Sequence, residues 1–119
     1  MRVLLATTAT PDARKTVACA RSLARAGAWL AVGGDELWGQ AFYSRFVARR
    51  VRYPHPRNGV DSFIEALLEL IERWSIDAVL PMNDYTTLAM SRRRERLRGQ
   101  VATLLPPTDA VELAAETPK

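Results

Sequence analysis

The sequence predicts a three-layer α/β domain built on a mainly parallel five-stranded sheet with strand order 3-2-1-4-5. Short apolar runs alternate with segments of helical periodicity along residues 1–105, which is typical of a parallel sheet with helices on both faces. The first run, residues 3–6, is apolar throughout, as expected of a strand buried on both sides. Because crossover connections are right-handed, few topologies remain, and a doubly wound, Rossmann-like sheet with the first strand central is favoured.

The first half of the chain contains three predicted strands and one predicted helix. Thr10 and Pro11 form a helix start, in which a hydroxyl N-cap precedes a proline at the first helical position. Small and apolar residues then recur at helical spacing until Gly27, which ends the helix. Residues 29–32 form the second strand and residues 46–53 the third, whose arginines predict an edge position.

The second half continues with two helices and two strands. Ser62 and Glu65 have capping-box spacing at the start of a strongly amphipathic helix. Residues 78–80 then form the fourth strand, and a third helix runs to about residue 97. Residues 101–105 form the fifth strand, after which two prolines end it and another helix begins.

Composition limits the kind of protein that this chain can be. The 119 residues, 48% of them apolar, suit one globular domain rather than a disordered segment. No apolar run reaches the ~18 residues of a membrane span, and the short apolar start is no signal peptide. The single cysteine, Cys19, cannot form an internal disulfide, which fits a reducing compartment. We therefore expect a cytoplasmic protein with no membrane contact.

Arginine dominates the net charge of +4 and forms two clusters. The first cluster has no acidic residue among its members, which are Arg45, Arg49, Arg50, Arg52 and Arg57. The second cluster has one acidic residue, Glu95, among Arg92, Arg93, Arg94, Arg96 and Arg98. A basic patch can bind nucleic acid or phosphate. The second cluster, however, falls late in a predicted helix, where cations suit the helix dipole and face water. The pattern therefore argues against nucleic-acid binding.

Ligands of such sheets bind beyond the carboxyl ends of the strands, where the strand order reverses. The turns at this point are residues 7–12 and 81–85. The first turn has no glycine, so its backbone cannot closely approach a pyrophosphate, which argues against a dinucleotide site. The only histidine, His55, has no cysteine or histidine at ligand spacing, so a zinc site is not predicted. A catalytic triad cannot be argued from this one histidine either. Its position between two prolines predicts a solvated turn residue.

The side chains in these two turns are the candidate binding residues. Thr7 and Thr8 can donate hydroxyl hydrogen bonds to a carboxylate or a phosphate. Asp84 can cap the following helix, with Asn83 as the alternative cap, or it can bind a ligand amine. The capping role and the binding role of Asp84 are compatible with each other.

Six segments follow one another along the chain in the order and spacing of one protein family. They are residues 20–27 (ARSLARAG), 41–45 (AFYSR), 53–57 (YPHPR), 63–68 (FIEALL), 76–84 (IDAVLPMND) and 94–97 (RERL). In these segments the chain resembles the N-terminal, pre-ATP-grasp domain of ATP-grasp ligases of the carbamoyl-phosphate-synthase-like type. It departs from relatives at Thr8, where they often carry glycine, and at Asn83, where they tend to have threonine or serine.

The resemblance implies an α/β domain that precedes an ATP-grasp domain. Such enzymes use ATP and magnesium to activate a carboxylate as an acyl phosphate, which an amine then displaces. On this basis residues 1–107 are the pre-ATP-grasp domain, and residues 108–119 begin a connecting helix towards an ATP-grasp domain that this chain lacks. Thr7 and Thr8, with Asn83 and Asp84, would face a small carboxylate or amine substrate.

The resemblance also implies that this chain holds no cofactor, metal ligand or catalytic residue and is inactive alone. Its main partner would then be the absent ATP-grasp domain, and the apolar surface left by that domain would permit a homodimer. The alternative function is a stand-alone α/β module that binds a ligand or regulates another protein.

Overall fold

The computed structural model describes residues 1–8, 14–36 and 45–103. Within these residues, five strands, four helices and one 3₁₀ turn follow one another. They are β1 (Arg2–Ala6), α1 (Arg14–Arg25), β2 (Trp29–Gly34), β3 (Arg49–Arg52), the 3₁₀ turn (Pro56–Asn58), α2 (Val60–Arg73), β4 (Ala78–Pro81), α3 (Asp84–Arg92), α4 (Arg94–Leu97) and β5 (Ala102–Thr103).

The five strands form one sheet in the order β3-β2-β1-β4-β5, and every neighbouring pair is parallel. The predicted fold class and strand order are therefore confirmed. The central strand β1 lies between β2 and β4, with Leu4 paired to Ala31 on one side and to Val79 on the other. The strand order reverses at this strand, and ligands of such sheets bind beyond the carboxyl ends of the strands at that point.

Apolar side chains cover both faces of the sheet. Val3 and Leu5 of β1 pack on one face in a cluster that includes Ala20 of α1, whereas Leu4 and Ala6 pack on the other face. The second face carries the larger cluster, formed with side chains of α2, α3 and α4. Successive residues of a strand point to opposite faces, which is why β1 is apolar at every position from Val3 onwards.

Several local predictions hold and others need correction. Gly27 ends α1 with a positive φ of 91°, as predicted. The predicted capping box of Ser62 and Glu65 is wrong: Gly59 is the N-cap of α2 and no side chain caps it. The helix begins earlier because the 3₁₀ turn leads directly into it, and Phe63 N donates to Gly59 O.

The predicted third helix is two helices. Arg93 leaves the helical conformation, with φ −118° and ψ 30°, and separates α3 from α4. The third strand lies at the sheet edge, as its arginines predict, but it is shorter than predicted. The predicted start of α1 at Thr10 and Pro11, and the helix predicted over residues 108–119 with its domain boundary at 107, lie outside the described residues.

The second arginine cluster is partly paired with acids of α2. Arg93 Nε donates to Asp61 Oδ1 at 2.7 Å, and Arg96 donates to Glu65 Oε1. These ion pairs join the α3–α4 junction to α2. No helix in the described part of the chain is both long and apolar enough to cross a bilayer.

Candidate functional site

The carboxyl ends of β1 and β4 bring two distant turns together. Met82 N donates to Ala6 O at 2.8 Å, which continues the β1–β4 pairing one step beyond the strands. Thr7 and Thr8 consequently lie beside Asn83, although 75 residues separate Thr8 from Asn83 in the sequence. Three of the four predicted site residues are thus in one place.

Asn83 connects the two turns through its side-chain amide. Its Nδ2 donates to Thr8 Oγ1 at 2.7 Å and lies 3.4 Å from Thr7 Oγ1. Both threonines are buried, with Thr8 only 3% exposed. The sequence identified each of these residues separately, whereas their mutual hydrogen bonds depend on the pairing of β1 with β4.

The same asparagine begins α3. Its Oδ1 accepts a hydrogen bond from Thr86 N at 3.0 Å, and its backbone N donates to Thr86 Oγ1 at 3.3 Å, so the pair forms a capping box. Of the two caps considered, Asn83 is the N-cap, because its extended backbone directs the short side chain at the third helical N–H. Asp84 is instead the first residue of the helix and is exposed, where its charge suits the helix dipole. A binding role for Asp84 stays a prediction.

A buried tyrosine that the sequence analysis missed holds the first turn in place. Tyr53 is 4% exposed, and its hydroxyl accepts from Thr7 N at 2.9 Å. The same hydroxyl lies 2.7 Å from both Thr7 O and Gly33 O, to which it can donate. Tyr53 therefore connects the ends of β1 and β2. The sequence signals that could have pointed to it are its place before Pro54, directly after an edge strand, and its place at the start of the YPHPR segment.

Burial raises the pKa of the Tyr53 hydroxyl well above its ordinary value, and the nearby Asp35 carboxylate raises this pKa further. The hydroxyl therefore keeps its proton and acts as a neutral donor. Its ring also requires Gly33, because a Cβ added at that glycine would lie 2.2 Å from Tyr53 Cε2. Gly33 is the first of the two glycines that end β2, and the close packing of the Tyr53 ring is the reason that a glycine stands there.

An open cleft of about 480 Å³ lies beyond the ends of β2 and β3. Its lining is mostly polar and consists of Asp35, Glu36, Arg52, Tyr53, Pro54, His55 and Asn58. His55 lies in a turn, as predicted, and is half-buried. Its Nδ1 accepts from Arg57 N at 2.9 Å to cap the 3₁₀ turn, and its ring packs edge-to-face on Tyr85.

The site residues do not fit a magnesium–ATP site. Among the described residues, no group of three or more histidine, cysteine, aspartate or glutamate side chains could hold a metal ion. The turn after β1 also has no glycine with which to approach phosphates. What the crevice offers is hydroxyl and amide groups at the start of a helix.

Comparison with known proteins matches this fold to part of a larger enzyme. The biotin carboxylase domain of Hydrogenobacter thermophilus 2-oxoglutarate carboxylase superposes on 94% of this chain with a TM-score of 0.60 and 16% identity. The biotin carboxylase subunit of pyruvate carboxylase covers 97% of it with a TM-score of 0.62 and 14% identity. The fold is similar to that of the N-terminal quarter of biotin carboxylases, the pre-ATP-grasp region. No protein-family model and no curated protein sequence matches the chain significantly.

The chain spans about a quarter of the length of these solved proteins, which are 24% and 25% covered by it. At these identities the likeness concerns the fold, and the predicted resemblance to a pre-ATP-grasp domain is confirmed at that level. The 2-oxoglutarate carboxylase domain is a dimer in complex with MgADP, ADP and bicarbonate. The carbamoyl-phosphate-synthase-like type stays a prediction from the sequence.

Proposed function

We propose that this chain is the substrate-side domain of an ATP-dependent carboxylate–amine ligase that works through an acyl phosphate. The observation that carries the proposal is the Thr7–Thr8–Asn83 crevice at the reversal point of a sheet matched to the pre-ATP-grasp region of biotin carboxylases. ATP and magnesium would be held by another part of the enzyme, because the described residues do not fit them.

The crevice residues supply binding rather than chemistry. Thr7 and Thr8 offer hydroxyls that can hold a polar substrate, and Asn83 fixes both against the start of α3. Asp84, exposed in the first turn of that helix, suits a positively charged group of the substrate. Groups held in this way position a substrate for reaction with ATP bound elsewhere.

An oxygen-isotope experiment tests the reaction class. The full-length gene product is incubated with ATP, magnesium and candidate amino acids whose carboxylates carry ¹⁸O. A carboxylate oxygen that attacks the γ-phosphorus releases ADP, and the amine then releases phosphate that retains this oxygen. We expect ¹⁸O in the phosphate and a product that contains the amide bond. Phosphate without ¹⁸O, or no ATP turnover with any carboxylate, would contradict the proposal.

Two variants of the full-length protein test the residue assignment. Asp84→Ala should raise the KM for an amino-acid substrate while the KM for ATP stays unchanged. Tyr85→Phe is the matched control in the same turn, because it removes only a partly exposed hydroxyl. An unchanged substrate KM in the Asp84 variant would remove this residue from the site. The alternative, a stand-alone binding or regulatory module, would bind its ligand without turning over ATP.

A further inference from the structure

We propose that the groove between the 3₁₀ turn and α3 binds a small ligand that combines an apolar body with a carboxylate. This groove, the α3 groove, has a volume of about 320 Å³ and is walled by Pro56 and Val60 together with Tyr85, Leu88 and Ala89 of α3. These residues and their neighbours along the chain lie in the described part of the structure. None of them belongs to the crevice at the ends of β1 and β4, so the inference does not rest on the proposed function.

The walls of the α3 groove are apolar. Pro56 and Ala89 are buried, and Val60 and Leu88 are half-buried. Tyr85 is 47% exposed, and among the described residues only Met1 is a more exposed large apolar side chain. Small-molecule sites are typically clefts of about 300–1,000 Å³ with apolar and aromatic walls and a few polar groups. The size and the lining of this groove therefore suit a small ligand with an apolar body.

Neighbouring side chains hold the Tyr85 ring in place although it is exposed. The His55 ring packs edge-to-face on it with the ring centroids 4.9 Å apart, and Arg57 Cζ lies 5.2 Å from its centroid. His55 is fixed in turn, because its Nδ1 accepts from Arg57 N at 2.9 Å. A ring that is already ordered loses little conformational freedom when a ligand covers it. The ring supplies contact surface, and the Tyr85 hydroxyl takes no part.

Arg57 gives the α3 groove its preference for a carboxylate. This residue is exposed, and its guanidinium has no carboxylate partner among the described residues. Arg92 is a second arginine in the lining, and no described acid lines the groove. Asp61 and Asp84 are sequence neighbours of lining residues but lie outside the lining, and Asp61 is paired with Arg93. A guanidinium attracts an oxyanion and repels an ammonium group, and its planar donors match the two oxygens of a carboxylate.

Nuclear magnetic resonance of the ¹⁵N-labelled 119-residue chain tests the site with hexanoate and three further probes. Acetate lacks the apolar body, hexanol lacks the charge, and hexylamine carries the opposite charge. We expect hexanoate to shift the amide signals of Arg57 and Leu88 in a saturable way. Acetate and hexanol should bind at least about fivefold more weakly, because each loses one of the two attractions. Hexylamine should bind more weakly than hexanol, because Arg57 repels it.

Two variants separate the two attractions. Arg57→Gln should weaken hexanoate binding about fivefold, the effect of losing an exposed ion pair, and should leave hexanol binding unchanged. Leu88→Ala should weaken hexanoate and hexanol binding by the same factor, because it removes part of the apolar wall alone. Arg21→Gln is the matched control and should leave hexanoate binding unchanged, because it removes an exposed arginine from α1, which packs on the other face of the sheet.

Three results would overturn the site: hexylamine that binds as tightly as hexanoate, equal effects of Arg57→Gln and Arg21→Gln, or no saturable binding of hexanoate. The same titration of the full-length gene product distinguishes a small ligand from a part of the enzyme itself. Hexanoate binding that is lost in the full-length protein would show that another segment fills the groove, which also contradicts the proposal. Hexanoate binding that depends on Arg57 in both proteins supports the site, whatever the ¹⁸O experiment shows about the ligase.

Discussion

Tyr53 illustrates how one side chain determines the shape of this crevice. Its hydroxyl bonds to Thr7 N and lies within 2.7 Å of Thr7 O and Gly33 O, so it ties the turn after β1 to the end of β2. Phe63 packs edge-to-face on its ring at 5.1 Å and holds the ring in the core. The position of Thr7, and through it of Thr8, depends on this residue.

Tyr53→Phe should lower the free energy of unfolding by about 1–2 kcal/mol, because it leaves buried carbonyl oxygens without their shared donor. The cost stays moderate because Thr7 N also donates to Gly33 O at 3.0 Å. Urea denaturation measures the change. Tyr85→Phe is the control and should cost close to nothing, since Tyr85 is 47% exposed. Equal costs for the two variants would contradict the role of the Tyr53 hydroxyl.

Gly33→Ala should destabilise the chain by about 1–3 kcal/mol through overpacking against the Tyr53 ring. Its cost should shrink in a Tyr53→Leu background, where the ring atom nearest to the new Cβ is gone. A double-mutant cycle in urea measures this coupling. If the costs of Gly33→Ala and Tyr53→Leu simply add, Gly33 is needed for a reason other than its contact with the Tyr53 ring.

At the scale of elements, α3 is attached to the sheet through the residue that caps it. Asn83 donates to Thr8 and accepts from Thr86 N, so the helix start and the binding turn share one side chain. Helix capping and site geometry are therefore coupled. A substitution can separate the two roles only if it keeps the acceptor and removes the donor.

Asn83→Asp makes this separation. Asn83→Ala should cost about 1 kcal/mol of stability through loss of the cap, whereas Asn83→Asp should cost less because a carboxylate also caps well. Asn83→Asp loses the donor to Thr8 Oγ1, so that the Thr8 hydroxyl becomes the donor to the new carboxylate. Thermal unfolding of both variants measures the two costs. Equal costs for Asn83→Ala and Asn83→Asp would contradict the capping role.

The ion pair between α2 and the α3–α4 junction predicts a pH dependence. The Arg93 guanidinium, as hydrogen-bond donor and as charge, holds the pKa of Asp61 below its ordinary value of 3.8. A carboxyl whose pKa is lowered by folding stabilises the folded state above its unfolded pKa and loses this contribution as the pH falls through the folded pKa.

Asp61→Asn should therefore lower the Tm at pH 7 and have no effect at a pH below the lowered pKa. The difference should be small, because both side chains are partly exposed, and added salt should reduce it. Tm measured against pH in both proteins checks this. A difference that persists unchanged into acid would show that Asp61 acts through something other than its charge.

At the scale of the whole molecule, β3 and β5 are the edge strands of the sheet within the described residues, and β3 carries a row of charged side chains. β3 forms one edge with four residues, three of them exposed arginines, Arg49, Arg50 and Arg52. Charged side chains on an edge strand disfavour pairing with another chain. This role accounts for three of the five arginines in the acid-free cluster without a nucleic-acid ligand.

Replacing Arg49 and Arg50 together by glutamine should make the chain aggregate more readily than replacing Arg21 and Arg25 of α1 by glutamine. Both double variants remove two positive charges from exposed positions, so net charge is matched. Light scattering during slow heating compares them. Equal aggregation would show that net charge, and not the strand edge, controls solubility.

Much of the fold could be predicted from the sequence, because the sequence signals for strands, helices and helix ends are local. An all-apolar strand such as β1, the periodicity of α2 and the stop at Gly27 each depend on neighbouring residues, and together they indicate the strand order. Local signals were weaker at boundaries. They did not locate the start of α2 or the break at Arg93, because a 3₁₀ turn and an interhelical ion pair compete there with helical periodicity.

By itself the sequence determined the sheet order, the edge position of β3 and the turns that would meet at the crevice. The tertiary structure alone decided which side chains touch: Asn83 with Thr8 across 75 residues, and Tyr53 with Thr7 across 46. The physical reason is that periodicity and turn chemistry act over a few residues. A hydrogen bond between distant residues depends instead on strand register, which places the ends of β1, β2 and β4 at one edge of the sheet.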